Sequence, residues 1–349
     1  MLIRRSTDGG ADDLITVYRP CTIDEIIGQS INKKIIKNNF KNNTIPHSLL
    51  FTGPPGCGKT TVARIIALRL NCTNPKDEDP CLECDNCLAS LNHSNLDVIE
   101  INVGKSGGKD AVDKITNNLA FSPMVCKNKV LVFDEAHKLT STAQDLLLKE
   151  IEDGYANVYF IFCTNKPEKL KDAFVDRNTA MHFGPLNTNL IYELLTNICD
   201  YEGVIYNEDV LHYIAHTVKG IPRKAIKFLN KVINEGSWDL NNVKVLFENI
   251  LIDEDNVNII EIGRAIMKGS FKDVIQQMKK LKNIPEESIR IATAGFFVNK
   301  LARARSYTEA DKYSAILDIL TVPIYMTGKP AYHILINNFY KAVRILLNN

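Results

Sequence analysis

The sequence predicts an α/β fold, with a parallel sheet and crossover helices in the first half of the chain and helices alone thereafter. Strand-like runs at Ser48 to Thr52, Asp97 to Asn102, Lys129 to Asp134, Val158 to Cys163 and Ala180 to Phe183 alternate with helix-patterned segments, the order expected of a parallel sheet. The run Val130-Leu131-Val132-Phe133 is apolar without alternation, as a strand buried on both faces requires. After Gly184-Pro185 the strand signal stops.

Two helical faces follow, Leu190, Ile191, Leu194, Leu195 and Ile198, then Val210, Leu211, Ile214, Ala215 and Val218, with Gly220 placed to end the second. Pro222 suits a first helical position ahead of Ala225, Ile226, Leu229 and Ile233. From about residue 242 the pattern stays helical, broken at Gly269-Ser270, Pro285 and Gly328-Lys329-Pro330. The expected domains are residues 1–185, a small helical lid over 186–241 and an all-helical C-terminal domain over 242–349.

At 349 residues the chain has room for two or three domains, and 45% hydrophobic with 24% charged residues lies in the globular range. No apolar stretch reaches the roughly 18 residues of a membrane span, and Met1-Leu2-Ile3-Arg4-Arg5 runs into polar residues rather than the apolar core of a signal peptide. The expectation is a soluble protein of the cytoplasm, or of a host cytoplasm if the source is a virus. A formal charge of +1 gives no global basic field, so any nucleic-acid contact must be built from local Lys and Arg.

The octapeptide Gly53-Pro54-Pro55-Gly56-Cys57-Gly58-Lys59-Thr60 sits between the first strand and a helix carrying Val62, Ile65, Ile66 and Leu68. In that context it is a phosphate-binding loop. Its small residues let successive backbone N–H groups curl round phosphates, Lys59 reaches the β and γ oxygens, and the Thr60 hydroxyl holds Mg²⁺. The third strand ends in Asp134-Glu135, which supplies the two remaining groups, Asp134 for Mg²⁺ through water and Glu135 to polarise an attacking water. The phosphate loop, Asp134-Glu135 and Thr164-Asn165 all fall at carboxyl ends of predicted strands, where parallel sheets bind ligands.

Nine cysteines include four in one short polar loop, Cys72, Cys81, Cys84 and Cys87. Four thiolates close a tetrahedral zinc site with no open position for catalysis, so the expected Zn²⁺ is structural and stiffens a surface used against a neighbour. Cys21, Cys57, Cys126, Cys163 and Cys199 read as small apolar residues.

These motifs, with Tyr18-Arg19-Pro20, Ile26-Ile27-Gly28-Gln29 and Ile45-Pro46-His47 ahead of the phosphate loop, resemble the clamp-loader branch of the AAA+ ATPases. The resemblance is to the bacterial DNA polymerase III tau/gamma subunit and to replication factor C small subunits, strongest over residues 14 to 235, and the cysteine loop resembles the zinc module of tau/gamma. It implies an AAA+ α/β domain, a helical lid and a C-terminal oligomerisation collar. It further implies ATP hydrolysis in a pentameric assembly of self or paralogous subunits that opens a sliding clamp and places it on primer-template DNA.

By position, the resemblance assigns Tyr18, Arg19 and Pro20 to the base pocket, and Gly53, Pro55, Gly56, Cys57, Gly58, Lys59, Thr60 and Thr61 to the phosphates. Asn165 becomes the residue that orients the attacking water, and Arg223, at a helix start, the lid arginine that reaches the γ-phosphate. Arg177 becomes the finger directed at the neighbour's ATP, although Asp176-Arg177-Asn178 stands where Ser-Arg-Cys is usual. Lys105 and Lys109, beside Gly107-Gly108, fall on the DNA-tracking element, where backbone and lysines contact phosphates.

The residues oppose two other functions. A non-hydrolysing stator of the same assembly is opposed by intact Lys59, Thr60, Asp134, Glu135 and Arg223. A branch-migration motor would carry a winged helix at its C-terminus, where this chain reads as helical. Asp134-Glu135-Ala136-His137 also spells a helicase box, but such helicases need a second nucleotide domain. His137 and His47 read as structural residues, and Lys279-Lys280-Leu281-Lys282 and Arg303-Ala304-Arg305 as exposed helix faces.

Overall fold

The computed structural model describes residues 13–106, 122–281, 286–302, 304, 306–322 and 331–347. The chain divides into two compact units, residues 1–238 and 239–349.

The first unit is built on a five-stranded sheet of order β2-β3-β4-β1-β5, with β1 Ser48–Thr52, β2 Val98–Asn102, β3 Lys129–Asp134, β4 Val158–Thr164 and β5 Thr179–His182. Every pairing is parallel. Alternate residues of each strand go to opposite faces, and both faces are covered. Leu49, Phe51, Val130, Val132, Ile161 and Cys163 join a core with Val62, Ile65 and Ile66 of the helix Lys59–Asn71. Leu50, Leu131, Phe133, Phe160 and Phe162 join another with Ala143 and Leu147 of the helix Ser141–Asp153. That two-sided burial is why these strands read as continuous apolar runs.

The five strands stand where the sequence predicts them, with shifts of one residue at some ends. β5 begins at Thr179 and stops at His182, while Phe183 leaves the strand with its N–H still donating to the Thr52 carbonyl at 2.8 Å.

The helices Thr188–Glu202, Glu208–Thr217 and Pro222–Glu235 complete this unit. Asn187 caps the first by accepting from the Leu190 N–H at 2.8 Å, and Asn207 caps the second through the Asp209 N–H at 2.9 Å. Pro222 opens the third as expected. Gly220 has no alternative there, since a Cβ would lie 2.2 Å from the Leu186 carbonyl oxygen.

The second unit is helical throughout its described residues, with Leu240–Met267, Phe271–Lys280, Glu286–Leu301, Tyr307–Thr321 and Ala331–Leu347. Its core gathers Ile262, Ile266, Val274, Met278, Phe297, Ile316 and Phe339. The predicted break at Gly269-Ser270 is present, and the Ser270 hydroxyl caps the following helix by accepting from the Asp273 N–H at 3.4 Å. The breaks read at Pro285 and Gly328-Lys329-Pro330, and Arg303 and Arg305, lie outside the described residues. No described helix is long and apolar enough to cross a membrane.

One buried carboxylate fixes the entry to β3. Asp97, 1% exposed, accepts from the N–H groups of Met124, Val125 and Cys126 at 2.8, 2.7 and 2.8 Å. Burial works against its charge, but the three amides outweigh it and hold its pKa below the ordinary 3.8. Asp97→Ala leaves three amides without their acceptor and should cost about 3 kcal/mol, read as a lower urea midpoint. Because the folded pKa is depressed, the contribution is complete above about pH 4 and is lost as pH falls through the folded value. A midpoint within error of the parent protein, or an Asp97 contribution that grows on acidification, contradicts this account.

Candidate functional site

The parallel register brings the strand ends to one edge. Asn102 pairs with Asp134 and Thr52 with Thr164, so the polar residues that end β2, β3 and β4 stand beside the loop that leaves β1. That loop can only be glycine-rich. Gly53 has φ +133°, and a Cβ there would lie 2.1 Å from the Phe183 carbonyl oxygen. Gly58, at φ +96°, turns the chain into the helix Lys59–Asn71, and a Cβ there would meet no protein atom within 4 Å. The first is glycine because protein surrounds it, the second because the backbone must turn left-handed beside open space.

A cavity of about 400 Å³ opens over this edge. Tyr18, Arg19 and Pro20 line one part, Pro55 to Thr61 the floor, Asp134, Glu135 and Asn165 the strand-end side, and Arg223 the side nearest the helix Pro222–Glu235. Of the residues assigned from sequence, Gly53 and Arg177 do not line it. Gly53 shapes the loop from beneath. Arg177 follows the short helix Asp172–Asp176 and is exposed, in an ion pair with Glu152 at 2.9 Å. Lys109 lies outside the described residues, and of Lys105 only the backbone, in the short helix Val103–Ser106, is described.

The Lys59 ammonium donates to the carbonyls of Gly53 and Pro54 at 2.8 and 2.7 Å, folded onto its own loop. Burial lowers its pKa. It also lowers that of Arg19, with Arg64 and Arg223 adding like-charge repulsion. Arg19, Lys59 and Arg223 thus crowd positive charge into one cavity, an arrangement that an anion relieves.

Opposite them the Thr60 hydroxyl donates to the Asp134 carboxylate at 3.1 Å. A hydroxyl and a carboxylate oxygen facing each other beside a phosphate loop are hard donors suited to Mg²⁺. Glu135 adopts left-handed backbone, φ 56° and ψ 40°, a conformation uncommon for a non-glycine residue and frequent at functional positions. Its carboxylate accepts from Lys138 at 2.8 Å, and that bond holds its pKa below the ordinary range. It is therefore an anion at neutral pH.

Sequence reasoning missed several participants. Glu25, 3% exposed, lines the cavity while accepting from the Cys21 N–H at 2.7 Å. Glu202 is another: it accepts the hydroxyl proton of Tyr18, the base-pocket residue assigned from sequence and 1% exposed, at 2.6 Å, tying the cavity wall to the helix Thr188–Glu202. His137, read as structural, lines the cavity, with Nδ1 3.3 Å from the Thr164 hydroxyl. The Lys138 partnership was readable, since it is three residues from Glu135. The Glu202 contact bridges 184 residues and leaves no local pattern. His47 is structural as read, its ring stacked on Tyr159.

The four clustered cysteines converge at the C-terminal end of the helix Lys59–Asn71, which Cys72 follows directly. Their sulfurs all lie within 4.8 Å of one another, with Cys72 and Cys81 at 3.4 Å and Cys81 and Cys87 at 4.0 Å. A tetrahedron with Zn–S bonds of about 2.3 Å has S···S edges of about 3.8 Å, so the donors fit zinc. Backbone N–H groups of Glu83 and Cys84 point at the Cys81 sulfur at 3.5 and 3.3 Å, as they would at a thiolate. Burial opposes charge at Cys84, yet hydrogen bonds from Thr73 and Cys87 lower its pKa to about 6. Cys21, Cys57, Cys163 and Cys199 are buried, in keeping with the apolar reading, whereas Cys126 departs from it, half-buried with its sulfur accepting from the Asn95 amide at 3.3 Å.

A family described as "DNA polymerase III, delta subunit" matches residues 28–187. The DNA polymerase III subunit gamma/tau of Mycoplasma genitalium is 30% identical over 256 residues, 73% of this chain and 43% of that protein. The DNA polymerase III subunit tau of Bacillus subtilis is 30% identical over 274 residues, 78% of this chain and 48% of that protein. The subunit gamma of Buchnera aphidicola is 29% identical over 266 residues, 76% of this chain and 71% of that protein. The chain thus spans less than half the length of the first two relatives. Among solved structures, a Thermotoga maritima RuvB Holliday junction branch migration motor aligns with TM-score 0.46 and 20% identity, over 72% of this chain and 78% of that one. That likeness is too slight to bear on function.

Protein purified without chelators should carry one zinc per chain by elemental analysis, and Cys84→Ser should lower the content below half. A zinc-free parent protein, or full occupancy in Cys84→Ser, would remove the assignment.

Proposed function

Because the chain resembles the AAA+ clamp-loader ATPases, the bacterial DNA polymerase III gamma/tau subunits among its relatives, we propose that it is the ATP-hydrolysing subunit of a sliding-clamp loader. The observation that carries this reading is that one cavity is lined by Lys59, Thr60, Asp134, Glu135, Asn165 and Arg223, with Tyr18, Arg19 and Pro20 beside them. A stator would have no need of that full set.

The chemistry is phosphoryl transfer to water, driven by positioning and charge stabilisation. Tyr18, Arg19 and Pro20 wall the base, and the amides from Gly56 to Thr61 receive the phosphates at the helix start. Lys59 exchanges its bonds to Gly53 and Pro54 for phosphate oxygens. Thr60 and Asp134 would hold Mg²⁺, which supplies Lewis-acid charge when bound. Glu135 accepts a proton from the attacking water once Lys138 releases it, and Asn165 orients that water. Arg223 contacts the γ-phosphate from the lid, the segment 186–241, and Arg177 serves a neighbouring subunit's ATP. In the assembly, ATP binding orders the subunits into a spiral that holds an open clamp and primer-template DNA, and hydrolysis releases both. The helices of 242–349 form the collar, and Lys105 and Lys109 contact DNA phosphates without reading sequence.

Glu135→Gln should bind ATP with parental affinity and hydrolyse it at least a hundredfold more slowly, because only the proton acceptor is lost. Lys59→Ala should lose binding itself. Parental turnover in Glu135→Gln, measured as phosphate release, overturns the site assignment.

The loader reading has a separate test. With its partner subunits, the protein should hydrolyse ATP faster when a sliding clamp and primed DNA are both present than with either alone, and the DNA effect should weaken with salt. A rate indifferent to clamp and primed DNA would leave an ATPase but no loader.

A further inference from the structure

The cysteine loop reaches the cavity wall through one side chain. Oδ1 of Asp79 accepts from the Ile23 backbone N–H at 2.5 Å. Asp79 is fixed on its own loop, exchanging two backbone hydrogen bonds with Lys76 at 3.0 Å each, two residues ahead of Cys81. The loop is tied in turn to the helix that carries Lys59, since Arg69 donates to the Asp77 carbonyl at 3.1 Å.

Ile23 is at the centre of the wall. It lies between Tyr18-Arg19-Pro20 and Glu25-Ile26-Ile27, and all six of those residues line the cavity. Its side chain is fully buried in the core that includes Val62 and Ile66. Other holds on this turn are the Cys21 to Glu25 bond, the Glu25 and Ile26 N–H groups on the Thr22 hydroxyl and Ile23 carbonyl, Lys33 on the Asp24 and Ile26 carbonyls at 3.3 and 2.8 Å, and Lys37 on the Asp24 carboxylate at 2.6 Å. These come from the turn itself and from the helix Ser30–Lys41. Asp79 alone among the bonds described for this turn comes from the cysteine loop. A carboxylate accepting from an amide is a strong bond, and half-burial protects it from water.

We propose that Asp79 is a positioning residue through which the cysteine loop braces the base-facing wall, coupling zinc in the four-cysteine site to nucleotide affinity in the cavity. The inference rests on reading the cavity as the nucleotide site. Zinc fixes the loop, the loop fixes Asp79, and Asp79 sets the Ile23 backbone from which Tyr18, Arg19 and Pro20 are displayed. Linkage requires the coupling to run both ways, with bound nucleotide tightening zinc by the same factor.

The test is ADP and pyrophosphate binding by calorimetry on the full chain. Pyrophosphate engages only the phosphate loop, so it reports that loop without the wall. Asp79→Ala should retain its zinc, bind ADP at least about fivefold more weakly and bind pyrophosphate as the parent does. Asp79→Asn, which keeps a neutral acceptor at Oδ1, should recover most of the ADP affinity. In the parent protein, stripping zinc with a chelator should weaken ADP by a similar factor, and re-adding zinc should restore it. Zinc-loaded Asp79→Ala with parental ADP affinity overturns the proposal, as does equal loss of ADP and pyrophosphate. Should Asp79→Ala not fold, the stripping experiment decides, and ADP affinity indifferent to zinc overturns it. A parent protein that binds pyrophosphate but not ADP defeats the nucleotide reading itself, which separates that failure from this one.

Discussion

The site depends on the parallel register of the sheet. Pairing β1 between β4 and β5 sends the chain from Thr52 into a loop that must pass the Phe183 carbonyl so closely that only Gly53 fits. The same register levels Asn102 with Asp134 and Thr52 with Thr164. A slip of one residue would turn the core side chains to the other face and would also part Thr60 from Asp134. Folding and site assembly are therefore one event in this unit, and the paired apolar layers on the two sheet faces fix both.

Charge organises what the register assembles. Arg19 and Lys59 are gathered where burial disfavours their charge, with the Arg223 guanidinium adding like-charge repulsion to both, and Glu135 is held as an anion by Lys138. The cavity is thus strained toward an anionic ligand, while the group suited to take a proton is kept paired. Lys59 on the Gly53 and Pro54 carbonyls and Glu135 on Lys138 are both held by contacts that a bound triphosphate and water would replace.

The parts legible in the sequence were those with local pattern. Burial on both faces writes itself as apolar runs, which is why β1 and β3 fall where read, and the phosphate loop and Asp134-Glu135 are contiguous. The four cysteines lie close in sequence, so their convergence was readable from spacing, although Cys87 stands in the short helix Asp85–Leu91 rather than in a loop. What escaped was polar and distant. Glu202 meets Tyr18 across 184 residues and Asp79 meets Ile23 across 56, and neither pair has a periodicity to betray it. Glu25 looks in sequence like any surface carboxylate, yet it is 3% exposed at the cavity. β5 was displaced by one residue because its exposed, short strand lacks the apolar run that marks the others.

The central claim is that a nucleotide base lies against Tyr18, Arg19 and Pro20 while its phosphates lie on Lys59 and Thr60. Photolabelling with 8-azido-ATP followed by peptide mapping tests this directly, because the azide sits on the base and marks the wall it touches. The account predicts label within residues 14–27, abolished by excess ATP and absent from Lys59→Ala. Label confined to other segments, or label that excess ATP does not displace, would contradict it.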